Sequence, residues 1–358
     1  MEYESTGTSD FVRRSLIVLA LAGLLLLVSA IFWHAAAVVL LLSAGILLAV
    51  ALDAPADWLA RHTPISRFWA TGVVLLVIAG LVTAIWVAAG PSISRQFHEL
   101  AEQLPQSLSQ LRSQLETTVW GRKLLEAMPK EPQSLFPSGS RPIEAATKAF
   151  SGVLWAITAT LVVVFTGLYL AFEPRLYISA GLRLLPKSKR DTARHVLSSA
   201  GRALRWWLVG RLGTMAVDGL LVALGLWLLG IPLALILGLV AALLAFIPNV
   251  GPILSFLPAA VIAFAQSPRM LLWVALLYLG VQFVESYLIT PLILRKSVSL
   301  PPALVLTAQV LLGLVAGTLG LLVATPLAVV CVVVVQELYI QRVLHEPVKV
   351  LGEPSKEN

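Results

Sequence analysis

Gln282 and Glu285 lie one helical turn apart within an apolar stretch, residues 281–288. Side chains three positions apart share a helix face, so the amide and the carboxyl would point in the same direction. An ionisable group is costly inside an apolar span and by default marks an ion or proton pathway. Glu285 is therefore the first candidate for a carboxyl that exchanges a proton or binds sodium. The alternative is a carboxyl that only hydrogen-bonds neighbouring helices for packing.

Three further polar side chains interrupt apolar sequence. Asp218 follows Arg211 by seven residues, which is two helical turns along the same face. An ion pair between them requires the side chains to lean together or another partner to intervene, so Asp218 is either a coupling-ion ligand or a structural partner. Gln309 has the same two interpretations, a ligand or a structural partner, but its side chain carries no charge. Asn249 is the best polar side chain in its own stretch, which contains proline and glycine.

That stretch reads Phe246-Ile-Pro-Asn-Val-Gly-Pro252 and contains Pro248, Gly251 and Pro252. Backbone groups freed by such residues are tolerated at membrane depth only where protein or a water-filled cavity satisfies them. The stretch therefore predicts a re-entrant hairpin, and broken helices of this kind build substrate sites in many secondary transporters. The alternative is a tight turn between two short spans, since turns favour the same residues.

Four residues near predicted membrane boundaries have an ordinary explanation. Glu337 and Arg342 are expected to extend their polar ends to water. Trp206 and Trp207 join basic residues at the entrance of a span, where an interfacial anchor accounts for them.

The elements that position these residues are predicted to be membrane helices. The chain has 358 residues, of which 58% are hydrophobic and 13% charged, whereas soluble domains are about 45–50% apolar and 25% charged. A span needs about 20 apolar residues. The fold class predicted is an all-α polytopic membrane protein with re-entrant or broken hairpins. The predicted spans and shorter apolar segments are residues 15–33, 35–52, 69–89, 150–172, 208–229, 233–247, 253–265 and 271–289, with two more between 301 and 339.

The first span carries Arg13 and Arg14 before it and could also be read as a cleaved signal peptide. Because it is long and leads directly into a second apolar run, we expect it to be retained as part of a helical hairpin.

Basic residues orient the chain, because short loops that carry Lys and Arg stay in the cytoplasm. Between Glu173 and Arg211 nine basic residues stand against two acids, so this segment is predicted to be cytoplasmic. Counting back through four spans places the N-terminus in the cytoplasm as well. The regions that follow are an N-terminal three-span region (1–89), an extracytoplasmic amphipathic segment (90–148), a fourth span (149–172), a basic cytoplasmic segment (173–207), a C-terminal transport region (208–340) and a cytoplasmic tail (341–358).

The extracytoplasmic segment contains apolar residues at helical steps of three and four. They are Phe97, Leu100, Leu104, Leu108, Leu111 and Leu115. The predicted helix packs against a neighbouring subunit or the membrane, or else covers its own protomer. Pro105 is expected to kink this helix or to begin its second piece.

A short similarity suggests an inverted repeat in the C-terminal half. The residues 232–237 resemble residues 301–306, each set follows a long span, and the two begin on opposite sides of the membrane under the predicted orientation. Inverted repeats place a transport site at their interface near the bilayer midplane. Pro301 and Pro326 would bound the second hairpin.

Several motifs in order resemble the autoinducer-2 exporter family of bacterial membrane proteins. These are the stretch 246–252, Gln282-x-x-Glu285 followed by Pro291, Leu300-Pro301, Gly317-x-x-Gly320 and Ala324-x-Pro326-Leu327. The similarity is densest from residue 167 to 339. It implies about eight transmembrane helices in the bacterial inner membrane, cytoplasmic termini, and a homo-oligomer, with a pentamer as the suggested assembly. It also implies export of small molecules such as the quorum-sensing signal autoinducer-2, with sodium–proton antiport in some members.

Other function classes find little support in the sequence. There is no phosphate-binding loop for ATP-driven transport and no H-E-x-x-H or G-x-S-x-G motif, so no enzyme activity, cofactor or metal is predicted. The net charge of +7 fits membrane orientation better than nucleic-acid binding. The hypothesis is thus a secondary exporter of small solutes, coupled to H⁺ or Na⁺. The alternatives are a passive channel and an envelope scaffold.

Overall fold

The structure is a computed structural model, and it describes residues 36–116, 142–289, 300–346 and 350–351. Every regular element in these ranges is helical, which confirms the predicted all-α class. The helices are α1 (Ala36–His62), α2 (Arg67–Glu116), α3 (Pro142–Phe172), α4 (Pro174–Arg183), α5 (Lys187–Leu228), α6 (Ala234–Leu244), α7 (Val250–Gln266), α8 (Pro268–Val284) and α9 (Pro302–Val334). Helix α8 continues as a π-helical turn, Glu285–Ile289, and α9 continues as another, Val335–Ile340.

Six helices in the described ranges are long and apolar enough to cross a membrane, which confirms a polytopic membrane protein. They comprise α1, α2, α5, the 154–172 part of α3, α8 with its π-helical turn, and residues 302–340. This last stretch, α9 with its π-helical turn, breaks at Ala316 and Gly317. Helices α6 and α7 are apolar but shorter. The first predicted span, residues 15–33, and the motif residue Pro291 lie outside the described residues.

Helix α2 joins two regions that hydropathy separates. It runs for 50 residues, through the predicted span at 69–89 and into the amphipathic segment, with Pro91 and Pro105 inside it. The expectation that Pro105 begins a separate piece is therefore wrong. Leu100 packs against the hydrophobic core of α5 to α8, and the Ile236 amide donates to Gln96 Oε1 at 3.1 Å. This part of α2 thus covers its own protomer, although Phe97 is exposed.

Helices α5 and α6 pack very closely. Gly219 of α5 faces Gly238 of α6, and a Cβ on Gly238 would lie 2.8 Å from the carbonyl oxygen of Gly219. Small residues of this kind let membrane helices approach at backbone distance. Asp218, next to Gly219, is therefore held at a tight helix–helix contact.

Trp207 is not the interfacial anchor that its neighbourhood predicts. Its side chain is buried with Leu208, Val329 and Val333 in one apolar cluster, and its ring meets that of Phe246 edge to face at 5.8 Å. Sequence places Trp207 near a membrane boundary but cannot show that α9 and the 246–252 stretch cover it there.

Ion pairs tie the N-terminal region to α5. Asp53 of α1 accepts hydrogen bonds from Arg67 of α2 and from Arg205 of α5. Arg205 also lies 3.7 Å from Asp57. These side chains are partly exposed, so each pair contributes little by itself, but together they fix α1 and α2 beside α5.

Candidate functional site

The first helical hairpin, which we call hairpin 1, consists of α6, the turn at 245–249 and α7. Helix α6 has 11 residues, which is about 16 Å of helix against a hydrocarbon core of about 30 Å. The chain reverses so tightly that a Cβ at Gly251 would overlap the carbonyl oxygen of Leu244. Asn249 adopts a φ of 64° at the turn, a conformation that Asn tolerates better than most residues. This geometry is a tight helical hairpin, which both a re-entrant segment and a turn between two short spans would form.

The second helical hairpin, hairpin 2, lies within α9. Its helical path breaks at Ala316 and Gly317, where Gly317 has φ 58° and ψ −136°. A Cβ at Gly320 would overlap the carbonyl oxygen of Leu312, and one at Gly313 would touch the Leu321 side chain. Residues eight apart in one helix are about 12 Å apart along the axis, so these contacts require the chain to reverse.

Side chains from other helices satisfy the carbonyl groups of the hairpin 1 turn. Arg211 Nε of α5 donates to the Phe246 carbonyl at 3.3 Å, and Gln309 Nε2 of hairpin 2 donates to the Pro248 carbonyl at 2.9 Å. Carbonyls released by a broken helix need such partners at membrane depth. The polar residues Arg211 and Gln309 therefore hold the turn of hairpin 1 between α5 and hairpin 2.

Arg211 also pairs with the leading candidate, Glu285. Its Nη1 lies 3.6 Å from Glu285 Oε1, and the two side chains are 11% and 12% exposed. Gln282 Nε2 donates to the other carboxylate oxygen, Glu285 Oε2, at 2.9 Å, as the spacing of these residues predicts. The ion partner of Arg211 in the structure is thus Glu285.

Asp218 and Glu285 line one small cavity between α5, hairpin 1 and α8. Its other polar lining residues are Ser255, Tyr278 and Gln282, and the space inside is about 20 Å³, room for about one water molecule or one small cation. Asp218 is 5% exposed, and its Oδ1 has no hydrogen-bond partner among the described residues. A buried carboxylate oxygen without a partner costs free energy unless it takes up a proton, a cation or a water.

The candidate residues do not all converge on this cavity. Glu285, Gln282 and Asp218 line it, together with Pro252. Gln309 is buried elsewhere and reaches the site through the Pro248 carbonyl, while the Asn249 side chain is exposed and does not cap α7. Pro301 precedes α9, and Pro326 is buried within the second arm of hairpin 2, away from its turn.

Sequence reasoning does not identify three further polar residues, Tyr278, Ser255 and Thr325. The Tyr278 hydroxyl donates to the Ser255 carbonyl at 3.0 Å and joins α8 to α7. Thr325 of hairpin 2 is buried, and its Oγ1 lacks a hydrogen-bond partner in the part of the chain that the structure describes, as does Gln309 Oε1. The sequence signal that could have identified Tyr278 and Ser255 is that each is a polar residue within an apolar run. No group of three metal-ligating side chains occurs among the described residues.

The capping role of Gln309 gives a stability prediction. Gln309→Leu keeps the size of the side chain but removes one donor from the Pro248 carbonyl, which still accepts from the Val250 amide at 2.7 Å. Loss of this hydrogen bond should lower stability by about 0.5–1.5 kcal/mol. Thermal unfolding in detergent measures the loss. Gln266→Leu, at the exposed end of α7, is the matched control, and equal melting of the two variants would contradict the capping role.

The sequence is similar to proteins associated with transport. It matches the family described as AI-2E family transporter over residues 19–340. It is 26% identical to the candidate transport protein YueF of Bacillus subtilis, over 71% of this chain and 72% of that protein. It is 24% identical to the candidate transport protein YhhT of Escherichia coli over 88% of both chains, and 25% identical to the candidate permease PerM of Escherichia coli over 74% and 77%. Because the match to this family covers residues 19–340 of the 358, the chain belongs to the AI-2E transporter family.

Proposed function

We propose that this membrane transporter is a secondary exporter of small solutes, coupled to protons or sodium at the cavity between Asp218 and Glu285. The observation that carries the proposal is the Asp218 side chain, which is 5% exposed and lines the same cavity as a second carboxylate. Its Oδ1 has no hydrogen-bond partner in the described part of the chain. Intramembrane carboxyls in such surroundings are typical of ion and proton relays.

The two carboxylates have different roles in this proposal. Glu285 is neutralised by Arg211 at 3.6 Å and held by Gln282, so its charge is compensated without an added ion. Among the residues that the structure describes, Asp218 has no comparable partner for its Oδ1. Asp218 therefore takes up and releases the coupling ion, and Glu285 with Arg211 sets the electrostatic environment. This assignment shifts the emphasis from Glu285, the residue that sequence favours, to Asp218.

The hairpins supply the moving parts of the proposal. Broken helices that meet near the membrane midplane form transport sites in many secondary transporters, and access alternates as one unit rocks against the other. The hydrogen bond from Gln309 to the Pro248 carbonyl links hairpin 2 to hairpin 1. Movement of one hairpin would therefore shift the turn that carries Phe246, whose carbonyl Arg211 binds.

Cargo, assembly and location complete the proposal. Family membership supports autoinducer-2 or a related small solute as cargo, with a role in quorum sensing or as an antiporter. The concentration of basic residues at 173–211 supports cytoplasmic termini in a bacterial inner membrane. The exposed apolar side chains of Phe97 and Leu108 on α2 support contact with another subunit in a homo-oligomer.

Flux through proteoliposomes tests this function. With autoinducer-2 trapped inside and either a proton or a sodium gradient imposed, we expect release to accelerate with one of the gradients. Release that proceeds at the same rate with and without both gradients would support the passive-channel alternative instead.

Asp218→Asn should separate ion coupling from folding. The amide keeps the shape of the side chain but cannot take up a proton or bind a cation as a carboxylate does, so gradient-driven flux should fall by about tenfold or more. The melting temperature should stay close to that of the native protein. Among the described residues no donor bonds to Asp218 Oδ1, so replacing this oxygen breaks no hydrogen bond there. Undiminished gradient-driven flux in Asp218→Asn would refute its role.

A further inference from the structure

A group of charged side chains lies near the turn between α1 and α2. Asp53 of α1 accepts hydrogen bonds from Arg67 of α2 and from Arg205 of α5. Asp57 Oδ2, one turn further along α1, lies 2.7 Å from Arg61 Nη2 and 3.7 Å from Arg205 Nη1. The side chains of Arg67 and Arg205 are 32% and 34% exposed. Asp53 therefore orders these two arginines while part of each stays open to a further anion.

Helix α4 adds another positive charge to this group. Arg175, in the first turn of α4, is exposed and lies close enough to Arg67 for the two positive charges to repel, and Arg205 adds to the repulsion. Like charges held together raise the energy of the folded protein unless an anion lies near them. Even when Glu173 beside α4 is counted, the basic side chains outnumber the acids of this group among the described residues. Arg61, Arg67, Arg175 and Arg205, which we call the arginine group, therefore attract an anion.

Exposed aromatic side chains flank the arginine group. They are Trp58 on α1 and Phe68 and Trp69 on α2. The ring centroids of Phe68 and Phe172 are 5.0 Å apart, and Phe172 is the last residue of α3, so the ends of three apolar spans meet here. Tryptophan is enriched where membrane helices reach the lipid headgroups. The arginine group thus lies at the depth of the lipid phosphates.

The apolar surface of α4 favours a lipid over a small anion. Leu176, Tyr177 and Ile178 follow Arg175 directly, and all three side chains are exposed. Basic and apolar side chains next to each other on a helix that leaves a span are typical of the membrane interface. A phospholipid offers a phosphate to Arg175 and acyl chains to its apolar neighbours, whereas inorganic phosphate offers only the first of these contacts.

We propose that the arginine group and α4 form a binding site for the headgroup of one anionic phospholipid, such as phosphatidylglycerol. The phosphate lies among Arg67, Arg175 and Arg205, because guanidinium groups bind phosphate through paired N–H donors. A zwitterionic lipid binds more weakly, since its choline cation meets the same arginines. These arginines belong to α2, α4 and α5, so the lipid holds three helices together at this end of the bundle. The site does not depend on solute transport or on its coupling to an ion.

Native mass spectrometry of the delipidated full-length protein in detergent tests the site. Phosphatidylglycerol or phosphatidylcholine with identical acyl chains is added, and the dissociation constant of the first bound lipid is measured. We expect phosphatidylglycerol to bind about fivefold more tightly or better, since each basic side chain near an anionic lipid contributes about that factor. Phosphatidylglycerol should also raise the melting temperature, because a ligand of the folded state stabilises it. Equal affinities for the two lipids, or equal stabilisation by inorganic phosphate, would overturn the assignment to a lipid.

Two matched variants separate this site from general attraction to a basic surface. Arg175 and Lys189 are both exposed, and Lys189 lies past the opposite end of α4, a helix about 15 Å long. Arg175→Gln should weaken binding of the first phosphatidylglycerol by about fivefold and leave the melting temperature without lipid unchanged. Lys189→Gln should keep the native affinity. Equal losses of affinity in the two variants, or no loss in Arg175→Gln, would overturn the proposal.

Discussion

Gly251→Ala and Gly320→Ala should each prevent the protein from accumulating in a folded, active form. In both cases the new methyl group would overlap a carbonyl oxygen across the hairpin, that of Leu244 or of Leu312. A main-chain carbonyl cannot turn aside as a flexible side chain can, so the two arms must separate. We expect a loss of stability of about 3 kcal/mol or more, measured by thermal unfolding and by the fraction of monodisperse protein after detergent extraction.

Gly280→Ala is the matched control for these two substitutions. Gly280 lies in α8, and a Cβ there would meet nothing within 4 Å. Alanine in a helix is favoured over glycine by about 1 kcal/mol, so this variant should be as stable as the native protein or slightly more stable. If Gly251→Ala and Gly320→Ala are as stable as Gly280→Ala, the two arms of each hairpin do not approach at backbone distance.

Arg211→Gln is expected to have the second largest effect. Arg211 compensates Glu285, lies near Asp218 along α5, and donates to the Phe246 carbonyl. Removing Arg211 leaves the carboxylates of Asp218 and Glu285 at one cavity without its positive charge. It also removes the hydrogen bond to the Phe246 carbonyl of hairpin 1. Removing one member of a buried pair typically costs about 3–5 kcal/mol, and transport should be lost with it.

The double variant Arg211→Gln, Glu285→Gln separates charge compensation from other causes. Because it removes both members of the pair, it should be more stable than Arg211→Gln alone. Glu285→Gln by itself leaves Arg211 with Asp218 as a nearby counter-charge, so its loss should be smaller than that of Arg211→Gln. Strictly additive losses in the double variant would show that Arg211 and Glu285 do not interact.

The features that sequence predicts well are local. The spacing of Gln282 and Glu285 predicts a shared face, and the two side chains are hydrogen-bonded at 2.9 Å. Proline and glycine at 246–252 predict a break in the helix, and the chain reverses there. Hydropathy alone also locates the apolar helices, since a bilayer requires about 20 apolar residues for a span.

The features that sequence misses depend on which helix covers which face. The Arg211–Glu285 pair joins α5 to the end of α8 and cannot be found from the spacing of residues within one helix. Sequence predicts that Glu337 extends to water and that Trp207 lies at the membrane interface, but both side chains are buried. Hydropathy indicates how deep a residue lies in the bilayer, but it does not show which helix packs against that residue. The drop in hydropathy after residue 89 does not end α2, since polar residues continue a helix as well as apolar ones do. The reversal at Gly317 lies in apolar sequence with no proline at its turn.

Uphill transport tests the central claim most directly. Proteoliposomes are given equal autoinducer-2 on both sides, with radioactive sodium as a second tracer, and a proton or sodium gradient is then imposed. We predict that the native protein drives solute or sodium to a concentration difference across the membrane, and that Asp218→Asn leaves both tracers at equilibrium. Tracers that never depart from equilibrium with the native protein, although they cross the membrane freely, would contradict coupled transport and would establish a passive pathway.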